Sequence, residues 1–237
     1  MASDGRLKKI LDMVAVCLVI ATAGVALTKM VASARTGPAR PVAQERVEPP
    51  VPKSPVGTAG LWTRGDPRAP VGMIVFEDFE CPACGQFTRD SLPAIEKELV
   101  LTGKLRLFYS HRPLPQHPRA IPAAAAAECA GRQGKFWEMH DLLFANQSNL
   151  DDASLQRHAD AAGLDKSIFN GCLPDGRKRI VEAADASKRL EIKGTPTVFI
   201  GTFVNSDDLR VASRWTGVRK VETITKEIER LLSDNRK

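Results

Sequence analysis

The chain contains 237 residues, of which 43% are apolar and 26% are charged, as is usual for a globular protein. Its net charge of +6 would suit an anionic partner, but the basic residues are scattered and aromatic residues make up only 5% of the chain. So few aromatic side chains cannot form a base-stacking surface, which argues against nucleic-acid binding.

Residues 1–35 have the pattern of an export signal or a membrane anchor. The basic stretch GRLKK precedes residues 10–28, which are nearly uncharged apart from Asp12. Two interpretations stay open: Lys29 in the cleavage region favours an uncleaved inner-membrane anchor over residues 10–28, whereas the small residues ending at Ala34 are typical of a cleaved signal peptide. Either one places the rest of the chain in the periplasm or another extracytoplasmic, oxidising compartment.

The next segment, residues 36–57, is rich in proline and poor in large apolar residues. Such a composition cannot bury a core, so we expect an extended tether here. The folded domain is therefore expected to cover residues 58–237. Its first strand is predicted at residues 71–79, VGMIVFEDF, because the run is apolar, rich in Val, Ile and Phe and preceded by a Pro/Gly turn.

The first strand is followed by a predicted helix and a second strand. Apolar residues recur at helical spacing over residues 84–103, where Pro93 should kink the helix. Residues 104–114 alternate in the manner of a strand. A strand, a helix and a strand in this order imply a right-handed crossover between parallel strands.

The remaining pattern indicates an α/β fold interrupted by helices. Residues 117–190 contain four helical segments and no strand pattern, so we expect one inserted helical block. Strands follow at residues 195–201 and 209–217, which should be antiparallel, and an amphipathic helix closes the domain at residues 220–233.

The motif CPAC lies at the junction between the first strand and the first helix. The sulfur of Cys81 should face the unpaired N–H groups of the first helical turn, which favours the thiolate and lowers the pKa from about 8.5 toward about 3.5 to 7. Cys84, one turn on, is placed to resolve a mixed disulfide at Cys81. Pro82 and Ala83 separate the two cysteines and tune their potential.

Two other interpretations of the cysteine pair are weaker. A zinc site needs two further ligands, but the chain has no second Cys-x-x-Cys and no histidine pair at ligand spacing, so no metal is predicted. A purely structural bridge over so short a loop would constrain little chain. A redox-active dithiol is therefore the leading interpretation, and it needs no cofactor.

Three segments resemble the DsbA-like branch of the thioredoxin superfamily: DFECPACGQF, ECAGRQGKFWEMHDLLF and GTPTVFIG. The likeness covers about residues 60–235. It implies a thioredoxin-like α/β fold with an inserted α-helical domain, following the N-terminal anchor or signal helix. It also implies that exported client proteins with free cysteines are the substrates and that a quinone-linked membrane protein reoxidises the pair.

The same resemblance implies roles for four further residues. The bond between Thr195 and Pro196 should be cis and lie opposite the cysteines, leaving the Thr195 backbone free to pair with an extended client. The alternative is an ordinary trans proline that opens a strand. Cys129 and Cys172 are expected to form a structural disulfide, as in similar proteins of this branch. The alternative is two buried, inert thiols.

The chain departs from the family pattern at the position of the buried acid. Relatives often carry an acidic residue six positions before the first cysteine, where this chain has Val75. Proton transfer then falls to Glu77, Asp78 or water, and Asp78 is the preferred candidate.

These features predict a thiol:disulfide oxidoreductase that introduces disulfides into exported proteins through Cys81 and Cys84. A periplasmic reductase or isomerase is the first alternative, since the two residues between the cysteines do not set the direction of electron flow. A redox-linked chaperone or metal-delivery module is the second.

Overall fold

The computed structural model of the protein describes residues 49–235, apart from the side chains of residues 186 and 187. The predicted anchor or signal segment, with its apolar run at residues 10–28, lies outside the described residues, as does most of the predicted tether. Within residues 49–235, no helix combines the length and the apolar composition that crossing a bilayer requires.

The centre of the fold is a six-stranded mixed sheet. Its strands are β1 (Val56–Gly57), β2 (Trp62–Arg64), β3 (Val71–Glu77), β4 (Leu105–His111), β5 (Thr197–Phe203) and β6 (Asp208–Thr216). Their order across the sheet is β1-β6-β5-β3-β4-β2. β3 and β4 are parallel and β5 and β6 antiparallel, as predicted, and the other neighbouring pairs are antiparallel.

The two edge strands differ from the sequence-based expectation. β1 has two residues and β2 has three, which is too short for hydrophobic alternation to reveal. The residues of β1 end the stretch that composition assigns to the tether, and they pair with β6.

Helices lie on both sides of the sheet and in a block beside it. Within the described residues they are α1 (Pro82–Asp90), α2 (Leu92–Ile95), α3 (Ala120–Gly131), α4 (Phe136–Ala145), α5 (Asp152–Ala161), α6 (Lys166–Arg189) and α7 (Val221–Asp234).

β3 is buried on both faces, which explains its continuous apolar sequence. Val71 and Val75 point to the side covered by α1, α2 and α7, whereas Ile74 and Phe76 point to the opposite side. Because successive side chains alternate between faces, a shift of one residue would exchange the two sets. This register fixes where β3 ends and therefore where the cysteine motif begins.

The prediction of a single kinked helix over residues 84–103 is wrong, because the structure has two separate helices there. α1 begins at Pro82 and ends at Asp90, and Pro93 lies in the first turn of the separate helix α2, which continues into a π-helical turn at Glu96–Val100. Proline lacks an N–H and clashes with the carbonyl four residues earlier, so it breaks the helix but is tolerated in a first turn.

The four helices α3 to α6 lie between β4 and β5, within the predicted helical block. Residues 123–127 of α3 are five consecutive buried alanines, and this small-residue surface lets neighbouring helices approach closely. The side chains of Asp151 and Asp165 accept hydrogen bonds from N–H groups in the first turns of α5 and α6, as N-cap residues do.

Candidate active site

Cys81 and Cys84 lie where β3 gives way to α1. Cys81 is the residue before the first turn of α1, in an extended backbone conformation, and Pro82 occupies the first helical position. Both thiols are free, and Cys81 is 7% exposed whereas Cys84 is 0% exposed. Both cysteines are therefore buried, but Cys81 keeps a small exposed area and Cys84 has none.

The two thiols are strongly differentiated in acidity. The pKa of Cys81 is lowered to about 5, chiefly by a hydrogen bond from Cys84, with further donors in the Thr195 side chain and the backbone N–H groups of Cys84 and Ala83. The pKa of Cys84 is raised well above its ordinary value, first by burial and then by its hydrogen bond to Cys81 and the charge of Glu77. At neutral pH the reduced pair holds a thiolate at Cys81 and a thiol at Cys84.

The loop before β5 faces the cysteines. The Thr195–Pro196 peptide bond is cis, and the Cys81 thiol lies 3.5 Å from the Thr195 carbonyl oxygen, to which it donates. β5 pairs with β3 so that Thr197 stands opposite Phe76, which brings the Pro196 turn beside the end of β3. Sheet register thus brings together Cys81, Cys84, Thr195 and Pro196.

Gln147, which follows α4, connects the helical block to the cysteine loop. Its side-chain Nε2 donates to the carbonyl oxygens of Phe79, at 2.8 Å, and of Cys81, at 2.9 Å. These carbonyls belong to the segment that joins β3 to α1, so the contact sets the position of the helix start. No local sequence signal marks this residue, because its partners are distant in sequence.

A buried acid and a buried histidine lie behind the cysteines. Glu77, the last residue of β3, is 2% exposed, and its Oε2 lies 3.8 Å from Nε2 of His140, which is 0% exposed. Burial raises the pKa of Glu77, against the opposing effect of His140. The charge of Glu77 acts on both Cys81 and Cys84.

Asp78, the preferred proton-transfer candidate from the sequence, has different contacts. Its carboxylate accepts from the backbone N–H groups of Glu80, at 2.8 Å, and Leu114, at 2.7 Å, and lies 2.8 Å from Nδ1 of His117. These contacts join the cysteine loop to the segment after β4, which indicates a structural role. At position 75 the valine side chain is buried in the sheet core.

The other two described cysteines pair with each other. Cys129 of α3 and Cys172 of α6 form a disulfide that closes a separation of 43 residues. Within residues 49–235, no group of three or more His, Cys, Asp or Glu side chains is arranged to hold a metal ion.

A family model described as thioredoxin matches residues 58–213. The chain belongs to the thioredoxin family. It is similar to alpha-DsbA1 of Wolbachia pipientis, with a TM-score of 0.65 and 26% identity over 74% of this chain and 92% of that one. BdbD of Bacillus subtilis shares the fold, with a TM-score of 0.61 and 22% identity over 78% of this chain and 98% of that one.

Two curated relatives extend the comparison of this thioredoxin-family chain. The probable disulfide bond formation protein D of Bacillus cereus is 27% identical over 158 residues, which are 60% of this chain and 71% of that protein. The Na(+)/H(+) antiporter NhaA 3 of Salinispora tropica is 39% identical over 202 residues, which are 80% of this chain. The chain spans only 30% of that antiporter's length.

Proposed function

We propose that the chain is a thiol:disulfide oxidoreductase that transfers the disulfide of Cys81 and Cys84 to cysteines of exported client proteins. The observation that carries this proposal is the difference in acidity between the two thiols, with the pKa of Cys81 at about 5 and that of Cys84 raised. A thiolate stabilised in the reduced form makes the oxidised form a stronger oxidant, because reduction yields the favoured anion.

The exchange proceeds in two balanced steps. A client thiolate attacks Cys81 Sγ of the oxidised pair, a client–Cys81 disulfide forms, and the S–S bond to Cys84 breaks, so that Cys84 leaves with the electron pair and takes up a proton. A second client thiolate then attacks the client sulfur of this mixed disulfide. The client disulfide forms and Cys81 leaves as a thiolate, which its low pKa makes a good leaving group.

We assign client binding to the loop that contains Thr195 and Pro196. The Thr195 carbonyl oxygen lies 3.5 Å from Cys81 Sγ, so a backbone held against this loop would present its cysteine to the attacked sulfur. Main-chain hydrogen bonds of this kind accept many side-chain sequences. That property suits an enzyme with many clients.

The cellular setting belongs to the same proposal. Sequence patterning supports an extracytoplasmic domain at residues 58–237, tethered by the proline-rich segment at residues 36–57 to an inner-membrane anchor at residues 10–28. Such an anchor would keep the domain close to a quinone-linked membrane protein that reoxidises the cysteines.

The alternatives have less support. A reductase or isomerase would use the same residues, and the redox potential separates it from an oxidase. Among residues 49–235, no cluster of metal-ligating side chains favours metal delivery. We do not assign ion transport to this chain, because its match covers only 30% of the NhaA 3 antiporter.

Equilibration of the purified domain with glutathione buffers tests the proposal. We expect a potential near ~−120 mV, as for a strong oxidant, whereas a value near ~−270 mV would identify a reductant. The oxidised domain should also oxidise a reduced, unfolded client over many turnovers when an oxidant is supplied. The variant Cys81→Ala should have no such activity.

A further inference from the structure

The contact between Glu77 and His140 buries two groups that protein interiors rarely leave unpaired. Glu77 Oε1 and His140 Nε2 have no hydrogen-bond partner, although each atom is shielded from solvent. An unsatisfied buried acid next to an unsatisfied buried imidazole is costly for stability. Such an arrangement therefore points to a use beyond packing.

One end of this pair leads toward the surface. His140 Nδ1 lies 2.7 Å from Oδ1 of Asp141, and the Asp141 side chain is 56% exposed. Asp141 lines an open pocket of about 340 Å³ together with Arg64, Thr88 and Glu96. Water in this pocket can exchange protons with Asp141.

The other end leads to the inner cysteine. The charge of Glu77 is close enough to raise the pKa of Cys84, whose side chain is 0% exposed. Thr88 lies one helical turn after Cys84 and beside Glu77, and its buried hydroxyl also has no partner. The neighbouring acid Asp78 already accepts hydrogen bonds from two backbone N–H groups, whereas Oε1 of Glu77 accepts none.

We propose that Glu77, His140 and Asp141 form a proton relay that connects Cys84 with the surface pocket. This inference rests on the proposed dithiol chemistry and adds a residue of the inserted helical block to it. In the free protein the gap of 3.8 Å between Glu77 and His140 is longer than a hydrogen bond, and it would close in the reacting complex, as catalytic contacts often do.

The relay serves the step in which Cys84 attacks a mixed disulfide at Cys81. The Cys84 thiol gives its proton to Glu77, which passes it to His140 Nε2, while His140 Nδ1 releases a proton to Asp141 and then to water. The Cys84 thiolate attacks Cys81 Sγ, the Cys81–Cys84 bond forms, and the bound thiol leaves with the electron pair. When a client attacks the oxidised pair, the same path returns a proton to Cys84.

Charged neighbours influence this path from each surrounding element. Burial opposes protonation of His140, but the hydrogen bond to Asp141 and the nearby Glu77 carboxylate outweigh it and raise the pKa of His140. Arg64 of β2 contacts Asp141, and the Tyr109 hydroxyl of β4 is buried near Glu77. Cys81 lies close enough to influence Glu77, and Glu96 lines the pocket with Asp141. Asp78 and Glu128, the latter paired with His111, influence the neighbouring Tyr109.

A symmetrical aryl disulfide with a coloured thiolate product separates the two chemical steps. The reduced protein should release one equivalent when Cys81 attacks and a second when Cys84 resolves the mixed disulfide. In His140→Gln we expect an unchanged first phase and a second phase slowed by about 10²-fold at neutral pH. The second phase should then accelerate with hydroxide concentration, because solvent must deprotonate Cys84 directly.

Additivity distinguishes a relay from separate structural effects. Glu77→Gln, His140→Gln and the double variant should slow the second phase equally, since breaking a path at one point or two has the same result. Asp141→Asn alters the exposed end with little risk to folding and should slow the same phase. His158→Gln is the matched control, because His158 is a buried histidine of α5 that contacts the Asn149 carbonyl.

Three outcomes would overturn the relay. The effects of Glu77→Gln and His140→Gln on the second phase could add in the double variant, the second phase could be unchanged in His140→Gln, or both phases could slow equally. A slow first phase in the unsubstituted protein would instead contradict the proposed reactivity of Cys81. The two failures are therefore distinguishable in one experiment.

Discussion

The side-chain amide of Gln147 occupies the space that a β carbon on Gly85 would need. Gln147 cannot simply move aside, because its Nε2 donates to the carbonyls of Phe79 and Cys81. Gly85 directly follows Cys84 in α1. The glycine after the cysteine motif is therefore required by a contact with the helical block rather than by its own backbone conformation.

The variant Gly85→Ala should displace this amide and lower the free energy of unfolding by about 2 kcal/mol, at about 1 kcal/mol for each lost hydrogen bond. Urea unfolding of the oxidised protein measures the change. Gly171→Ala in α6 is the matched control: a β carbon there would meet no other atom within 4 Å, so we expect a gain of up to about 1 kcal/mol. Equal losses in both variants would contradict the role of Gln147.

Removal of the inner thiol should change the acidity of the outer one. In Cys84→Ala the pKa of Cys81 should rise from about 5 toward its ordinary value, because the hydrogen bond from Cys84 is the largest cause of the lowering. Ultraviolet absorbance of the thiolate, followed through a pH titration, measures this shift. Gln86→Ala, an exposed change on the same helix, should leave the titration unaltered.

The reduced protein should gain stability relative to the oxidised protein as pH rises. Cys81 has a folded pKa of about 5 and an ordinary value of 9.0, so its contribution is present at high pH and is lost as pH falls through the folded value. Between about pH 5 and 8.5 the difference in unfolding free energy should rise by at most about 1.4 kcal/mol per pH unit. Urea unfolding of both redox forms tests this. Cys81→Ala forms no Cys81–Cys84 disulfide, and its unfolding free energy should lack the gain with pH that Cys81 gives the reduced, unsubstituted protein.

The disulfide between α3 and α6 should stabilise the fold without taking part in the exchange. Replacing Cys129 and Cys172 with alanine should lower the free energy of unfolding by about 4 kcal/mol, as chain entropy predicts for a loop of 43 residues. The first phase of the aryl disulfide reaction should keep its rate. A loss below about 1 kcal/mol would indicate that the unfolded chain is already compact.

Much of the fold follows from local patterns. The apolar run of β3 and the cysteines after it identify a strand-to-helix junction, since both signals lie within a dozen residues. Four helices between β4 and β5 follow from the lack of any strand pattern there. Pro93 alone does not predict whether the helix kinks or ends, because a proline can kink one helix or begin another.

The polar surroundings of the cysteines depend on tertiary contacts. Glu77 and Asp78 are adjacent in sequence, so their side chains point to opposite sides of the chain and only the packed structure shows which one faces Cys84. His140 and Gln147 reach the site from the helical block. His140 lies within the segment ECAGRQGKFWEMHDLLF, but nothing in that segment indicates a contact with Glu77, and Gln147 lies outside it. The sequence therefore locates the two sulfurs and offers Glu77 as one candidate acid, but it does not show the contacts of His140 and Gln147.

The hydrogen bond between Cys81 and Thr195 joins residues that are 114 positions apart. A ribosome adds about 5–20 residues per second, so Cys81 is made roughly ten seconds before its partner loop exists. During that interval the nascent chain carries the Cys81 thiol without the carbonyl that accepts its hydrogen bond in the folded domain. The contact between the two ends of the active site therefore forms late, after most of the domain has been synthesised.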